Sequence, residues 1–281
     1  MPTEELLLPE TTVTASCGAE CAIETYEEVY RKPATLVDVN MHYCPGCAHS
    51  LIHKLIMEVV EDMDIQEKTI GIAPVGCSVF AYDYMDIDMQ EAAHGRAAAV
   101  ATGVKRLMPD KYVFTYQGDG DLAAIGIGET IHAVNRGENI LIVFVNNAVY
   151  GMTSGQMAPT TLNGMKTTTS PDGRSAELTG LPIKVAELMA QLGGAYFVTR
   201  QTISSPNAVR RTKKALLQAF QYQTLKKGTC FIEILSNCPS NWKMTPIESM
   251  KFIDEEMAKT FPLGDIKVPV TINTKTEGGV Q

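Results

Sequence analysis

The feature that most limits the possible folds is the alternation of short apolar segments with segments of helical periodicity. Buried strands are predicted for "YVFTYQ" (112–117) and "ILIVFVN" (140–146), with a helix between them from about Leu122 to Arg136. The alternation continues with strands "AYFVTR" and "TCFIEIL" and with helices "PIKVAELMAQLG" and "NAVRRTKKALLQAFQYQ". This pattern predicts an α/β fold with a mostly parallel sheet covered by helices on both faces.

The first half of the chain follows the same rule and indicates the domain boundaries. It contains a helical pattern in "HSLIHKLIMEVVEDM", a buried strand running into a glycine loop in "TIGIAPVGC", and an alanine-rich helix in "AAHGRAAAVATGVKRLM". Residues 1–35 show little periodicity and are interpreted as an N-terminal extension. Residues 36–262 are predicted to form the folded domain, and residues 263–281 a C-terminal tail.

Composition excludes several classes of protein. Hydrophobic residues make up 45% of the chain and charged residues 20%, which is ordinary for a globular domain. The longest apolar stretch, "ILIVFV", is far too short to span a membrane. The net charge is −8 and no basic cluster is present, which argues against nucleic-acid binding. The acidic start "MPTEELLLPE" lacks the basic region of a secretory signal, so a cytoplasmic protein is expected.

The loop after the strand at 112–117 combines two features that conflict. Gly118 and Gly120 would let the backbone approach a phosphate, but Asp119 and Asp121 would repel one. The letters "GDGDLA" also match a variant of the dinucleotide-binding fingerprint G-x-G-x-x-G/A. That site needs an acidic residue at the end of the next strand, which instead ends in two asparagines at 146–147.

A bound cation would remove the conflict. Successive strands of a parallel sheet end at the same edge, so Asp119 and Asn147 are expected to lie side by side. Carboxylate, amide and backbone carbonyl oxygens are the ligands that Mg²⁺ prefers, and Mg²⁺ keeps other positions for substrate phosphates. The sequence therefore predicts a magnesium site that binds a diphosphate.

The seven cysteines indicate metal or redox chemistry, because their number is odd and the cytosol disfavours disulfides. The Cys44-x₂-Cys47 pair has three interpretations: a thioredoxin-like redox pair, a zinc site with His49 and His53, or part of an iron–sulfur cluster, which needs four thiolates. A zinc finger needs a longer spacing, and the thioredoxin fold is small. The two histidines are more simply a polar stripe of the helix.

Other cysteines differ in where they lie relative to predicted strands. Cys77 and Cys238 each follow a predicted strand, where metal ligands can converge. Cys230 lies inside a strand and is expected to be a buried core residue. Cys17 and Cys21 lie in the extension and hold either an extra metal or nothing.

Taken together, these motifs resemble one family, the thiamine-diphosphate-binding β subunit of 2-oxoacid:ferredoxin oxidoreductases of the 2-oxoisovalerate or 2-oxoglutarate type. The resemblance covers residues 43 to about 245. It rests on the motifs "CPGCAH", "PVGCS", "EAAHGRAAAVATGVK", "YQGDGDLAAIG", "FVNNAVYGMTSGQ" and "NCPSNW". It implies the thiamine-diphosphate-binding fold for the domain at 36–262, with an iron–sulfur site.

The resemblance also implies site residues. Asp119, Asn147 and the Val149 carbonyl would ligate Mg²⁺. The residues implied to lie beside thiamine diphosphate are Val75, Gly76, Cys77, Ser78, His94, Gly95, Gly118, Gly120, Asp121, Gly151 and Met152. The ligands implied for one [4Fe–4S] cluster are Cys44, Cys47, Cys77 and Cys238. No glutamate that could activate the cofactor is found in these motifs, and the resemblance implies that a partner α subunit supplies it.

The implied activity is the oxidative decarboxylation of a 2-oxo acid to acyl-CoA and CO₂, with electrons leaving through the cluster to ferredoxin in anaerobic metabolism. The resemblance also suggests γ and δ subunits as further partners. Val79, Phe80 and Met152 follow the cofactor loops and are apolar, which favours a branched-chain acid such as 2-oxoisovalerate. The alternatives are a 2-oxoglutarate- or pyruvate-specific member, a cluster-free decarboxylase half, or a non-catalytic electron-transfer module.

Overall fold

The computed structural model describes residues 29–269, and within them helices and strands alternate as predicted. The first half contains helix α1 (His49–Asp62), strands β1 (Thr69–Ala73) and β2 (Asp88–Glu91), helix α2 (Ala97–Leu107), strand β3 (Tyr112–Gly118), helix α3 (Ile127–Asn135) and strand β4 (Leu141–Asn146). Short 3₁₀ turns occupy Gln66–Lys68 and Val79–Asp83, and a π-helical turn occupies Asp119–Ile125.

The second half begins with a small hairpin of β5 (Val149–Tyr150) and β6 (Gln156–Met157). It continues with α4 (Ala176–Thr179), α5 (Val185–Ala190), β7 (Ala195–Thr202), α6 (Pro206–Gln223), β8 (Thr229–Leu235), α7 (Pro239–Trp242), α8 (Pro246–Phe252), α9 (Ala258–Thr260) and β9 (Gly264–Lys267). A second π-helical turn, Ile253–Met257, joins α8 to α9. Every helix among residues 29–269 is too short or too polar to span a bilayer.

The main sheet of the described region has seven strands in the order β2-β1-β3-β4-β8-β7-β9. All neighbouring pairs are parallel except β7 with β9. The predicted mostly parallel α/β fold is therefore confirmed. Two edge strands were not predicted. β2 is largely exposed and carries no apolar pattern, and β9 lies inside the segment interpreted as a tail.

The core lies on both faces of the sheet, and the central strand β4 shows why. Its side chains are all buried and alternate between two apolar clusters. Leu141, Val143 and Val145 face the cluster that includes α1 and α6, whereas Ile142 and Phe144 face the cluster that includes α2, α3 and α5. A continuous apolar run is typical of a parallel strand covered on both sides.

The helix after β3 begins later than the sequence indicates. Helix α3 begins at Ile127 rather than near Leu122, because the preceding residues form the wide π-helical turn. The Gly126 N–H donates to the Asp121 carbonyl at 2.9 Å. A Cβ at Gly126 would stand 2.6 Å from the Gly95 carbonyl oxygen, so only glycine allows this close approach of two loops.

Candidate functional site

A cleft of about 230 Å³ opens at the carboxyl ends of β1, β3 and β4. The segments after those three strands form most of its lining, and His49 of α1 and His94 after β2 complete it. The lining residues are His49, Val75, Gly76, Cys77, Ser78, His94, Gly118, Asp119, Gly120, Asp121, Ala124, Ile125, Val145, Asn147, Val149, Tyr150, Gly151, Met152 and Thr153. Clefts at this edge of a parallel sheet are where open α/β folds bind ligands.

Asp119 and Asn147 lie side by side at this edge, as the predicted strand order requires. The Asn147 backbone N–H donates to Asp119 Oδ2 at 3.0 Å. The Asn147 side-chain oxygen stands 2.8 Å from the Val149 carbonyl oxygen and 2.8 Å from Asp119 Oδ2. Three oxygens thus lie close together. Without a cation between them they would repel one another, unless the Asn147 amide turned over and its NH₂ donated to the other two.

This oxygen set fits Mg²⁺. Octahedral Mg²⁺ has bonds of about 2.0–2.1 Å, so neighbouring ligand oxygens stand about 3 Å apart. The two distances from the Asn147 amide oxygen, to the Asp119 carboxylate and to the Val149 carbonyl oxygen, are close to that spacing. The open side faces the cleft, where the remaining positions of the ion would be free for water or phosphate.

The electrostatics of Asp119 are compatible with a cation beside it. Burial raises the pKa of this carboxyl from 3.8 to about 7, although hydrogen bonds from the Thr160 hydroxyl and the Asn147 N–H oppose the rise. A carboxylate so poorly solvated is costly to ionise unless a positive charge lies beside it. Sequence analysis did not find Thr160, which lies in the long loop after β6.

Asp121 has a different role from Asp119, the other aspartate of this loop. Its Oδ1 accepts hydrogen bonds from the Val75 N–H at 3.3 Å, the Gly95 N–H at 2.9 Å and His94 Nδ1 at 2.9 Å. Its Oδ2 accepts from Gln117 Nε2 at 2.6 Å. The carboxylate therefore joins three loops and has little capacity left for a ligand, although the residue lines the cleft. Gly95 contacts Asp121 but is not among the lining residues.

The four cysteines predicted as cluster ligands lie close together. A Cβ at Gly151 would stand 3.1 Å from Cys77 Sγ and 3.6 Å from Cys238 Sγ, so both thiols flank that glycine. Burial raises the pKa of Cys47 to about 11 and that of Cys77 to about 12, and neighbouring thiols of the set contribute to both rises. Cys44 is one of those neighbours.

Four thiols are the donor set that a [4Fe–4S] cluster takes. Within residues 29–269, no three His, Cys, Asp or Glu side chains are placed to hold one metal ion. In a four-iron cluster each thiolate binds its own iron, so the sulfurs stand farther apart. Cys230 is 1% exposed inside β8, as expected of a core residue. Cys17 and Cys21 lie outside the described residues.

Two residues that sequence analysis missed connect the cysteine set to the oxygen set. Asn241 Nδ2 donates to the Gly151 carbonyl at 2.9 Å and to Cys238 Sγ at 3.2 Å. Trp242 Nε1 donates to the Asn147 carbonyl at 3.2 Å. Both follow Cys238 on the single turn α7, and their position in the motif "NCPSNW" was the available signal.

A buried network supports the turn that carries Asn147. The Asn146 amide donates to Glu233 Oε1 at 2.7 Å and accepts from the Ala148 N–H at 3.1 Å. Glu233 Oε2 in turn accepts from Arg200 Nε at 2.9 Å. Ala148 has a φ of 59°, a conformation that a non-glycine residue needs such support to hold.

The two histidines of α1, interpreted from the sequence as a polar stripe of the helix, are both buried. His49 is 4% exposed and lines the cleft, with Nδ1 2.7 Å from the Tyr116 hydroxyl. His53 is fully buried, and its Nε2 lies 2.5 Å from the Tyr43 hydroxyl. Burial lowers the pKa of His49 to about 4, so this ring is neutral at physiological pH.

The structure brings one of the three predicted substrate-pocket residues to the cleft. Met152 lines it and is 55% exposed. Val79 and Phe80 are not among the lining residues, because they lie on the 3₁₀ turn that leads away from the Cys77 loop. Phe80 is 40% exposed, and its ring packs edge-on against His42 at 5.1 Å. No glutamate of the described residues lines the cleft.

Comparison with known proteins gives a consistent result. Residues 74–234 match the model of the thiamine pyrophosphate enzyme C-terminal TPP-binding domain. The ketoisovalerate oxidoreductase subunit VorA of Methanothermobacter thermautotrophicus is 45% identical over 86% of this chain and 53% of its own length. This chain thus spans about half the length of that relative.

Two further similarities cover most of both proteins. The 2-oxoglutarate synthase subunit KorB of Methanocaldococcus jannaschii is 37% identical over 76% of this chain and 77% of its own length. A 2-oxoglutarate:ferredoxin oxidoreductase structure from Magnetococcus marinus, with 2-oxoglutarate, coenzyme A and succinyl-CoA bound, superposes with a TM-score of 0.68. That match is 27% identical and covers 81% of this chain and 74% of the other. The chain belongs to the thiamine-diphosphate-binding subunits of the 2-oxoacid:ferredoxin oxidoreductases.

Proposed function

We propose that this chain is the β subunit of an enzyme that converts a 2-oxo acid and coenzyme A to acyl-CoA and CO₂ and passes the electrons to ferredoxin. The observation that carries the proposal is that the two sites adjoin at one cleft. Cys77 of the cysteine set lines the same cleft as Asp119, Asn147 and Val149. Gly151 lies between the two sets, because a Cβ there would stand 3.1 Å from Cys77 Sγ, 3.6 Å from Cys238 Sγ and 3.7 Å from Asn147 Nδ2.

In this proposal Asp119, Asn147 and the Val149 carbonyl hold Mg²⁺, and the ion offsets the buried charge of Asp119. Gly118 and Gly120 leave room for a diphosphate beside the metal. When bound, thiamine diphosphate supplies an electron sink for the loss of CO₂, and a [4Fe–4S] cluster on Cys44, Cys47, Cys77 and Cys238 accepts electrons one at a time.

Gly151 keeps the two sites close. Any side chain at this position would contact the Cys77 and Cys238 sulfurs, because even a Cβ would stand 3.1 Å and 3.6 Å from them. A shorter gap between the reacting carbon and the first electron acceptor favours electron transfer over simple decarboxylation. A cluster-free decarboxylase half remains the competing function, and it gives no reason for this cysteine set.

For the substrate we propose a branched aliphatic 2-oxo acid such as 2-oxoisovalerate. No Lys or Arg of residues 29–269 lines the cleft, and a second carboxylate left unpaired in an apolar site costs several kcal/mol. Met152 offers an apolar contact instead. A 2-oxoglutarate- or pyruvate-specific enzyme is the alternative, which requires that the partner subunit determine specificity.

The proposed partners are an α subunit that brings the activating glutamate, further γ and δ subunits, and ferredoxin. An oxygen-sensitive cluster on reduced thiols suits the cytoplasm of an anaerobic cell. The face that bears the cleft would lie against the α subunit, because the activating glutamate must reach the cofactor there.

The test is anaerobic purification of the complex, followed by assays of iron, sulfide and thiamine and of CoA-dependent ferredoxin reduction with each of three 2-oxo acids. Cys238→Ser should lose the cluster, and Cys230→Ser is the matched control that should keep it. CO₂ release without ferredoxin reduction, in a complex without iron, would favour the decarboxylase instead. A preference for 2-oxoglutarate would contradict the proposed substrate.

A further inference from the structure

His49 is a buried side chain of the cleft that belongs to neither the oxygen set nor the cysteine set. It begins helix α1, is 4% exposed and lines the cleft. Its Nδ1 lies 2.7 Å from the Tyr116 hydroxyl. Its other nitrogen, Nε2, has no hydrogen-bond partner among residues 29–269. Some buried polar atoms of this region lack a partner and are fully enclosed by protein, but His49 Nε2 is not among them. This nitrogen is therefore accessible from the cleft that His49 lines.

The hydrogen bond to Tyr116 determines which nitrogen carries the proton. Tyr116 is fully buried in β3, and His49 Nδ1 is the one acceptor within reach of its hydroxyl in the described region. A buried O–H without an acceptor would cost ~1–3 kcal/mol, so the hydroxyl donates to Nδ1. A neutral imidazole has a single N–H, which is then on Nε2.

The ring is also held in its plane. The Tyr43 ring stacks on it with a centroid distance of 5.0 Å and an interplanar angle of 23°. His49 therefore presents a fixed N–H donor to the cleft, with its proton position and its ring orientation both set by tyrosines. Fixed donors of this kind lose little entropy when a ligand oxygen arrives.

We propose that His49 Nε2–H donates a hydrogen bond to an oxygen of the 2-oxo acid, either its carboxylate or its carbonyl. This inference depends on the proposed function for the identity of the ligand. Among the described residues, no Lys or Arg lines the cleft to pair with these oxygens, so the donor that this region offers is uncharged. His49 keeps its proton throughout, because Nδ1 is already an acceptor for Tyr116.

Two substitutions separate the two ring nitrogens. His49→Gln places an amide N–H near the position of Nε2, whereas His49→Asn reaches only the position of Nδ1. In the assembled enzyme we expect His49→Asn to lower kcat/KM for the 2-oxo acid by about 10- to 100-fold, the usual effect of losing a hydrogen bond to a charged group. His49→Gln should lose less. An effect on KM alone indicates the carboxylate, and an effect on kcat the carbonyl oxygen.

His53→Gln is the matched control, because His53 lies one helical turn away, is fully buried and does not line the cleft. It should leave kcat/KM per assembled complex unchanged, whatever it does to stability. Iron and thiamine content are measured for every variant, so that a loss of cofactor is not read as a loss of substrate binding.

The outcomes distinguish this inference from the proposed function. A wild-type complex without 2-oxo acid oxidation would contradict the function. An active wild type with unchanged kcat/KM in both His49 variants would overturn the inference, as would a shifted cluster reduction potential at unchanged kcat/KM. If the variants do not assemble, ¹⁵N NMR of the full wild-type chain, which has five histidines, determines which nitrogen of His49 carries the proton. A proton on Nε2 supports the inference. A proton on Nδ1 of His49 in wild type would refute it.

Discussion

Replacing Asp119 by asparagine should stabilise the chain without metal and abolish its stabilisation by Mg²⁺ with thiamine diphosphate. Burial raises the pKa of this carboxyl from 3.8 to about 7. Because the folded state then binds the proton more tightly than the unfolded state, ionisation costs stability as pH rises through this interval. The cost is absent below pH 4 and reaches ~4 kcal/mol above pH 7.

The variant removes that cost and keeps the local hydrogen bonds. Its amide oxygen can still accept from the Asn147 N–H, and its NH₂ can donate to Thr160, whose hydroxyl then accepts instead of donating. In EDTA, Asp119→Asn should exceed wild type in free energy of unfolding by up to ~4 kcal/mol at pH 8 and by about 2 kcal/mol at pH 5. Saturating Mg²⁺ and thiamine diphosphate should then stabilise wild type alone, by ~3 kcal/mol at 100 times Kd.

The assay is urea unfolding of the full chain at both pH values, with and without the ligands. Asp121→Asn is the matched control. Both oxygens of Asp121 accept hydrogen bonds, four in all, so the NH₂ of an asparagine would face an N–H donor and lose at least one of them. It should be destabilised by ~1–3 kcal/mol at both pH values. The reasoning fails if Asp119→Asn is no more stable than wild type in EDTA at pH 8, or if the ligands stabilise both proteins equally.

Three further changes test the surroundings of the site. Trp242→Phe removes the N–H bond to the Asn147 carbonyl but keeps the ring against Phe252, so the Kd for Mg²⁺ with thiamine diphosphate should rise about tenfold in calorimetry. Arg200→Met leaves Glu233 buried and unpaired, which should cost ~3–5 kcal/mol in urea unfolding; adding Glu233→Gln should restore part of it. The chain without a partner should release no CO₂ from 2-oxo acids, and turnover by the chain alone would contradict a shared active site.

Much of the fold follows from local patterns. Strands such as β4 and helices such as α6 show their periodicity directly, and parallel topology then requires their carboxyl ends to meet at one edge. That is why Asp119 and Asn147 could be placed side by side from the sequence. β2 and β9 could not be predicted, because edge strands are held by pairing with a neighbour and need no buried side chains of their own.

The sequence by itself determined the type of fold, the two strand ends that form the oxygen set and the cysteines that follow strands. The tertiary structure alone decided which polar side chains support them. Thr160 bonds Asp119, Tyr116 bonds His49 and Trp242 bonds the Asn147 carbonyl across 41, 67 and 95 residues of chain. Periodicity reports whether a side chain faces the core, but a buried polar group finds its partner only when distant segments pack together.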